Sequence, residues 1–110
     1  MKYQLHHEAN YIVLALEGEF DLSSSPKVRE SLLANLNKRK DLLMDLSAVS
    51  YIDSSGIACM VEALQLAQQR ALKFGCVHIS QAVRKVLTLA RLDQVFPIYT
   101  SIDDFTDAKS

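Results

Sequence analysis

Apolar residues in this chain fall into short blocks, separated by longer segments whose apolar positions recur every three or four residues. Tyr3 to His7 reads as a short edge strand. Tyr11-Ile12-Val13-Leu14-Ala15-Leu16 is a compact apolar run of the kind a strand shows when both its faces are covered. Gly18 to Asp21 is expected to break it. Ser23-Ser24-Ser25-Pro26 opens a helix, with Ser25 as N-cap, Pro26 at the first helical position, and Val28, Leu32, Leu33 and Leu36 as one apolar stripe. Leu42 to Leu46 is the next strand, followed by a turn and a short extended piece, Tyr51-Ile52. A long helix is predicted from Ser54 or Ser55 to about Lys73. Ile57, Met60, Val61, Leu64 and Ala67 form its apolar face, and Gly75 is its stop. Cys76 to Ile79 reads as a strand. Ser80 caps a helix carrying Val83, Val86, Leu87 and Ala90. Val95 to Tyr99 is a last strand, and Ser101 caps a last helical turn or two.

This order, β-β-α-β-α-β-α-β-α, predicts an α/β fold. Strands that alternate with helices pair in parallel through right-handed crossovers. The expectation is a single domain over 1–110, frayed over 106–110. Its sheet should be four- to five-stranded, mixed and largely parallel, with about four helices packed mainly on one side.

Composition narrows the function. The chain has 110 residues, 12 basic and 13 acidic, for a net charge of -1. Neither half is a basic platform, which argues against nucleic acid as a ligand. The one basic run, Lys38-Arg39-Lys40, suits a solvated helix end. No apolar stretch approaches the roughly 20 residues that span a bilayer, and the first residues lack the apolar core of a signal peptide. A cytoplasmic domain is expected. Cys59 and Cys76 are too few for a disulfide framework and read as reduced, partly buried residues. His6 and His7 are adjacent in a strand and point to opposite faces, and His78 lies in a predicted strand. No metal-binding or nucleophile–base motif occurs, so neither cofactor, metal nor enzymatic activity is expected.

One segment is distinctive: Asp53-Ser54-Ser55-Gly56, at a strand-to-helix turn. Serine and aspartate there satisfy the free N–H groups of a first helical turn. A serine at an exposed helix start can also carry a phosphate without unfolding its helix, because the N–H groups and the helix dipole tolerate an anion.

Asp45-Leu46-Ser47-x-Val49-x-x-Ile52-Asp53-Ser54-Ser55-Gly56-Ile57 resembles the signature of STAS domains, specifically the bacterial anti-sigma-factor antagonists. Gly18-Glu19-Phe20-Asp21 is similar to that family's turn before the first helix. Val83, Val86-Leu87, Leu89, Leu92, Val95-Phe96 and Ile98 fit its C-terminal pattern. The chain departs from the family at Arg91, where a glycine is frequent, and at Ile57, where leucine is usual.

The resemblance implies a STAS-like fold and a partner-switching role. Such a protein binds an anti-sigma factor that is also a GHKL-type serine kinase, and so frees a sigma factor. Phosphorylation at the head of the long helix abolishes binding, and a PP2C-type phosphatase restores it. The phosphoacceptor maps to Ser54, with Ser55 as second choice. Asp21, Ser23, Asp53, Ser54, Ser55, Gly56 and Ile57 are the expected partner-binding residues, with Gly56 admitting a partner's backbone. A monomer or weak dimer is expected. The alternative is a STAS-type accessory subunit docked on the ATPase of an ABC lipid-transport system, a use in which many relatives lack the serine.

Overall fold

The computed structural model describes residues 2–108. Its elements, in chain order, are β1 (Lys2–His7), β2 (Tyr11–Phe20), α1 (Ser25–Asn37), β3 (Asp41–Ile52), α2 (Ser54–Gln69), β4 (Phe74–Val77), α3 (Gln81–Leu89), β5 (Ile98–Tyr99) and α4 (Ile102–Asp107). The strands form one five-stranded sheet in the order β1-β2-β3-β4-β5. β1 is antiparallel to β2, and the other neighbours are parallel. The expected mixed, largely parallel α/β sheet is therefore present. The helix α4 runs to Asp107, and residues 109 and 110 of the expected frayed tail lie outside the described residues. No described helix is long and apolar enough to cross a membrane.

The apolar runs in β2 and β3 are explained by burial on both faces. Leu14, Leu16, Leu42, Met44 and Leu46 join the larger core with Val28, Leu32 and Leu36 of α1, Met60, Ala63 and Leu64 of α2, and Val83 and Leu87 of α3. Val13, Leu43 and Val77 point the other way and pack with Phe105 of α4. Three helices thus share one face and a short fourth closes the other. Cys59 and Cys76 are free and buried, and burial pushes their thiols up to about 11 and about 12.

Several local expectations are corrected. Residues 47–53, read as a turn plus a short strand, belong to β3 as far as Ile52. β3 has more residues than the stretch of β2 it pairs with. Register shifts between Ala15 and Glu17 and between Gly18 and Glu19 absorb the excess as bulges. Gly18 does not end β2; its φ of 106° lies within the strand at the second shift. Ser25 is not the cap of α1 but its first residue, and Ser24 holds the cap position. Ile57 and Val61 are only partly buried, and Cys59 and Ala63 take their places on the core face of α2. His78 lies outside β4 in a bend, with φ 53°.

Gly75 is likewise no helix stop. It lies inside β4, where a Cβ would overlap the Tyr99 ring. The helix ends carry larger residues instead. Arg39, Ala71 and Arg91 follow the C-caps of α1, α2 and α3 with φ of 61°, 57° and 59°. Leu72 N–H donates to Ala67 O and Leu92 N–H to Leu87 O, each at 2.8 Å, closing two Schellman motifs. The departure at Arg91 therefore falls where glycine would relieve a left-handed backbone.

Two substitutions should move stability in opposite directions. Leu64→Ala removes a core side chain and should cost about 2–5 kcal/mol. Ala71→Gly relieves the left-handed conformation and should add up to about 1 kcal/mol. Denaturant midpoints at constant m-value check both.

Candidate functional site

The site is built where two parallel strands stop together. Phe20 and Ile52 are Cα partners at the ends of β2 and β3, and both are buried. The next residue of each strand is an aspartate. Both aspartates fold back onto the serine two positions later. Ser23 N–H and Ser23 Oγ–H donate to Asp21 Oδ1 at 3.0 and 2.6 Å. Ser55 N–H donates to Asp53 Oδ1 at 2.9 Å, and Ser55 Oγ–H donates to the same oxygen. Gly56 N–H adds a third contact at 3.2 Å, so Asp53 is the N-cap of α2.

These hydrogen bonds favour the carboxylate forms. The Ser23 hydroxyl holds the Asp21 carboxyl below its ordinary range, helped by the Ser23 and Ser24 N–H groups and by the Ser24 hydroxyl. The Ser55 hydroxyl does the same for Asp53, with the N–H groups of Gly56, Ser55 and Leu22.

The two serines of the Asp53-Ser54-Ser55-Gly56 segment differ sharply. Ser55 is partly buried and its hydroxyl is committed to Asp53. Ser54 is the first residue of α2 and is exposed, and among the described residues its hydroxyl makes no hydrogen bond. Asp53 occupies the N–H groups that were expected to welcome an anion. A phosphate on Ser54 would stand at the positive end of α2, beside a carboxylate that already uses those donors.

Gly56 has a role within the fold that the sequence reading did not give it. It is buried, and a Cβ on it would lie 2.7 Å from the Phe20 carbonyl oxygen and 2.9 Å from Ile52 Cγ1. The close approach it permits is that of α2 to the end of β2 in its own chain. Ile57 is partly buried against the core and offers only its edge. Sequence reasoning missed Leu22. It lies between Asp21 and Ser23 in the turn beside this site and is 73% exposed. Its signal was an apolar residue inside an otherwise polar turn. Beside this surface runs a groove of about 350 Å³ between α1 and α2, lined by Ser25, Pro26, Ser55 and Cys59 among others. Arg29 spans it, with Nε 2.7 Å from both carboxylate oxygens of Glu62.

The family model of the STAS domain matches residues 2–105. The anti-sigma F factor antagonist of Paenibacillus polymyxa is 22% identical over 101 residues, covering 90% of this chain and 86% of that protein. The anti-sigma-B factor antagonist of Listeria monocytogenes is 28% identical over 92 residues, covering 83% and 81%. The crystal structure of an anti-sigma factor antagonist from Mycobacterium paratuberculosis superposes with a TM-score of 0.80 at 26% identity, covering 94% of this chain and 88% of that one. The chain belongs to the STAS domain family.

The cap on α2 should leave a signature in pH. The folded-state pKa of Asp53 is lowered, so its contribution is full above about pH 4 and fades as pH falls through the folded value. Asp53→Asn keeps a capping oxygen but cannot titrate. Its deficit in melting temperature against wild type should be largest at neutral pH and should shrink in acid. A deficit that stays constant between about pH 2 and pH 7 would show that charge on Asp53 is irrelevant.

Proposed function

We propose that this chain is an anti-sigma-factor antagonist that acts by partner switching, with Ser54 as its switch. The observation that carries the proposal is the contrast between the two serines: Ser54 is exposed with an uncommitted hydroxyl, while Ser55 is tied into the cap. The names of the relatives at 22 and 28% identity support the same role.

In this reading the unmodified turn binds an anti-sigma factor that is also a GHKL-type serine kinase, in the cytoplasm where sigma factors work. Leu22 supplies an apolar anchor, and Asp21, Ser23, Asp53 and Ser55 form the polar surround. The kinase transfers the γ-phosphoryl group of ATP to Ser54 Oγ: the Oγ–P bond forms as the bond from the γ-phosphorus to the β–γ bridging oxygen breaks, ADP leaves, and the hydroxyl proton passes to a base of the kinase and on to solvent. The phosphate adds about two negative charges beside the Asp53 carboxylate and near the Asp21 turn. Docking would then desolvate three clustered anions, and the partner is released. A PP2C-type phosphatase hydrolyses the ester and resets the surface.

A matched set of variants separates the switch from the fold. Ser54→Asp puts a carboxylate at a helix start, where aspartate is well tolerated, so stability should change by no more than about 1 kcal/mol. Binding to the kinase partner should weaken more than about a hundredfold, the equivalent of roughly 3 kcal/mol. Ser54→Ala should bind like wild type and ignore the kinase. Calorimetric titration, with thermal melts as the folding control, reads all three proteins. A folded Ser54→Asp that binds as tightly as wild type would make Ser54 a helix residue and nothing more.

A further inference from the structure

β1 leaves one edge of the sheet open over six residues. It pairs with β2 in an unbroken antiparallel register, from Lys2↔Glu17 to His7↔Ile12. Open edges are normally blunted by proline, a bulge or a charge in mid-strand. β1 has no proline, its register has no bulge, and its one formally charged residue, Lys2, stands at the end.

The direction of its backbone groups follows from the hairpin. Glu8 N–H donates to Tyr11 O at 2.9 Å, so residues 8 and 11 form a hydrogen-bonded pair. Such pairs alternate along an antiparallel ladder. His6, Gln4 and Lys2 therefore turn their N–H and C=O groups toward β2. Tyr3, Leu5 and His7 turn theirs outward.

We propose that this edge is a two-fold interface, at which a second copy of this chain lays its own β1 antiparallel with Leu5 opposite Leu5. That register matches all three outward residues, Tyr3 with His7 and Leu5 with Leu5, and forms about six backbone hydrogen bonds. It also sets Lys2 of each copy opposite Glu8 of the other, which places two opposite-charge pairs across the seam. Gln4 faces His6. Sliding the register by two residues either way breaks both charge pairs and loses a set of backbone bonds. A strand of another protein would have no reason to reproduce this complementarity, whereas a second copy does so by symmetry. The Tyr3, Leu5 and His7 side chains also floor a groove of about 310 Å³ against Lys27, Glu30 and Lys38 of α1, which the second copy would extend.

Sedimentation equilibrium of the intact chain tests this directly. Wild type should show a monomer–dimer equilibrium between about 10 µM and 1 mM. Leu5→Pro removes an outward N–H that β2 does not use, a position where proline is tolerated in an edge strand. It should weaken the dimer at least tenfold while circular dichroism stays unchanged. Lys2→Glu and Glu8→Lys should each weaken it several-fold, and the double variant Lys2→Glu/Glu8→Lys should restore it. The charge variants keep the test independent of whether Leu5→Pro folds. Wild type that stays monomeric to about 1 mM, or a charge-swapped double variant no tighter than either single one, would overturn the proposal.

Discussion

The seating of α2 on the end of β2 is the constraint from which the rest of the site follows. The Phe20 carbonyl accepts from Asp53 N–H at 3.3 Å and lies where a side chain at position 56 would otherwise be. Only glycine lets the helix come this close. With the first turn pressed against β2, the Asp53 carboxylate reaches the N–H groups of Ser55 and Gly56, and the Ser55 hydroxyl is drawn in after it. Ser54 is left at the outer corner. The same backbone contact that terminates two strands therefore decides which of two adjacent serines is available.

The site is also a doubled motif. Asp21 and Asp53 each accept from the N–H and hydroxyl of the serine two residues on, and they do so at the ends of neighbouring parallel strands. Two carboxylates placed this way cost nothing while solvent and local donors surround them. They become costly when a partner excludes water and a third anion is added. In the proposed switch this would give the surface a threshold: neutral Ser54 would sit in a tolerable field, and a phosphorylated one in a field that docking would make prohibitive. In the same proposal Leu22, exposed between Asp21 and Ser23, would be the apolar centre of the docking surface.

Most of the fold was legible because the buried runs are long and the helical stripes are periodic. The order of all nine elements, the caps Ser80 and Ser101, and the alternation of helix and strand were all read from residues 2–108. The failures have one character. Strand ends were hidden where bulges let β3 carry polar residues as far as Ile52. Helix ends were hidden because Arg39, Ala71 and Arg91 adopt the left-handed turn usually marked by glycine, while Gly75 serves close packing against Tyr99. In the site, a polar cap over Asp53-Ser54-Ser55 was legible from local chemistry, whereas only the family resemblance singled out Ser54 over Ser55. The inward role of Gly56 was not, because it depends on where Phe20 arrives from 36 residues away along the chain. Leu22 escaped because an apolar turn residue carries no periodic signal.

The central claim is that the local geometry makes Ser54, and not Ser55, the residue that switches. The most direct measurement is phosphate mapping after incubation with the anti-sigma factor kinase and Mg-ATP, by tandem mass spectrometry of wild type, Ser54→Ala and Ser55→Ala. The account predicts a single phosphate on Ser54 in wild type and in Ser55→Ala, and none in Ser54→Ala. Phosphate on Ser55 in wild type, or undiminished incorporation in Ser54→Ala, would contradict it.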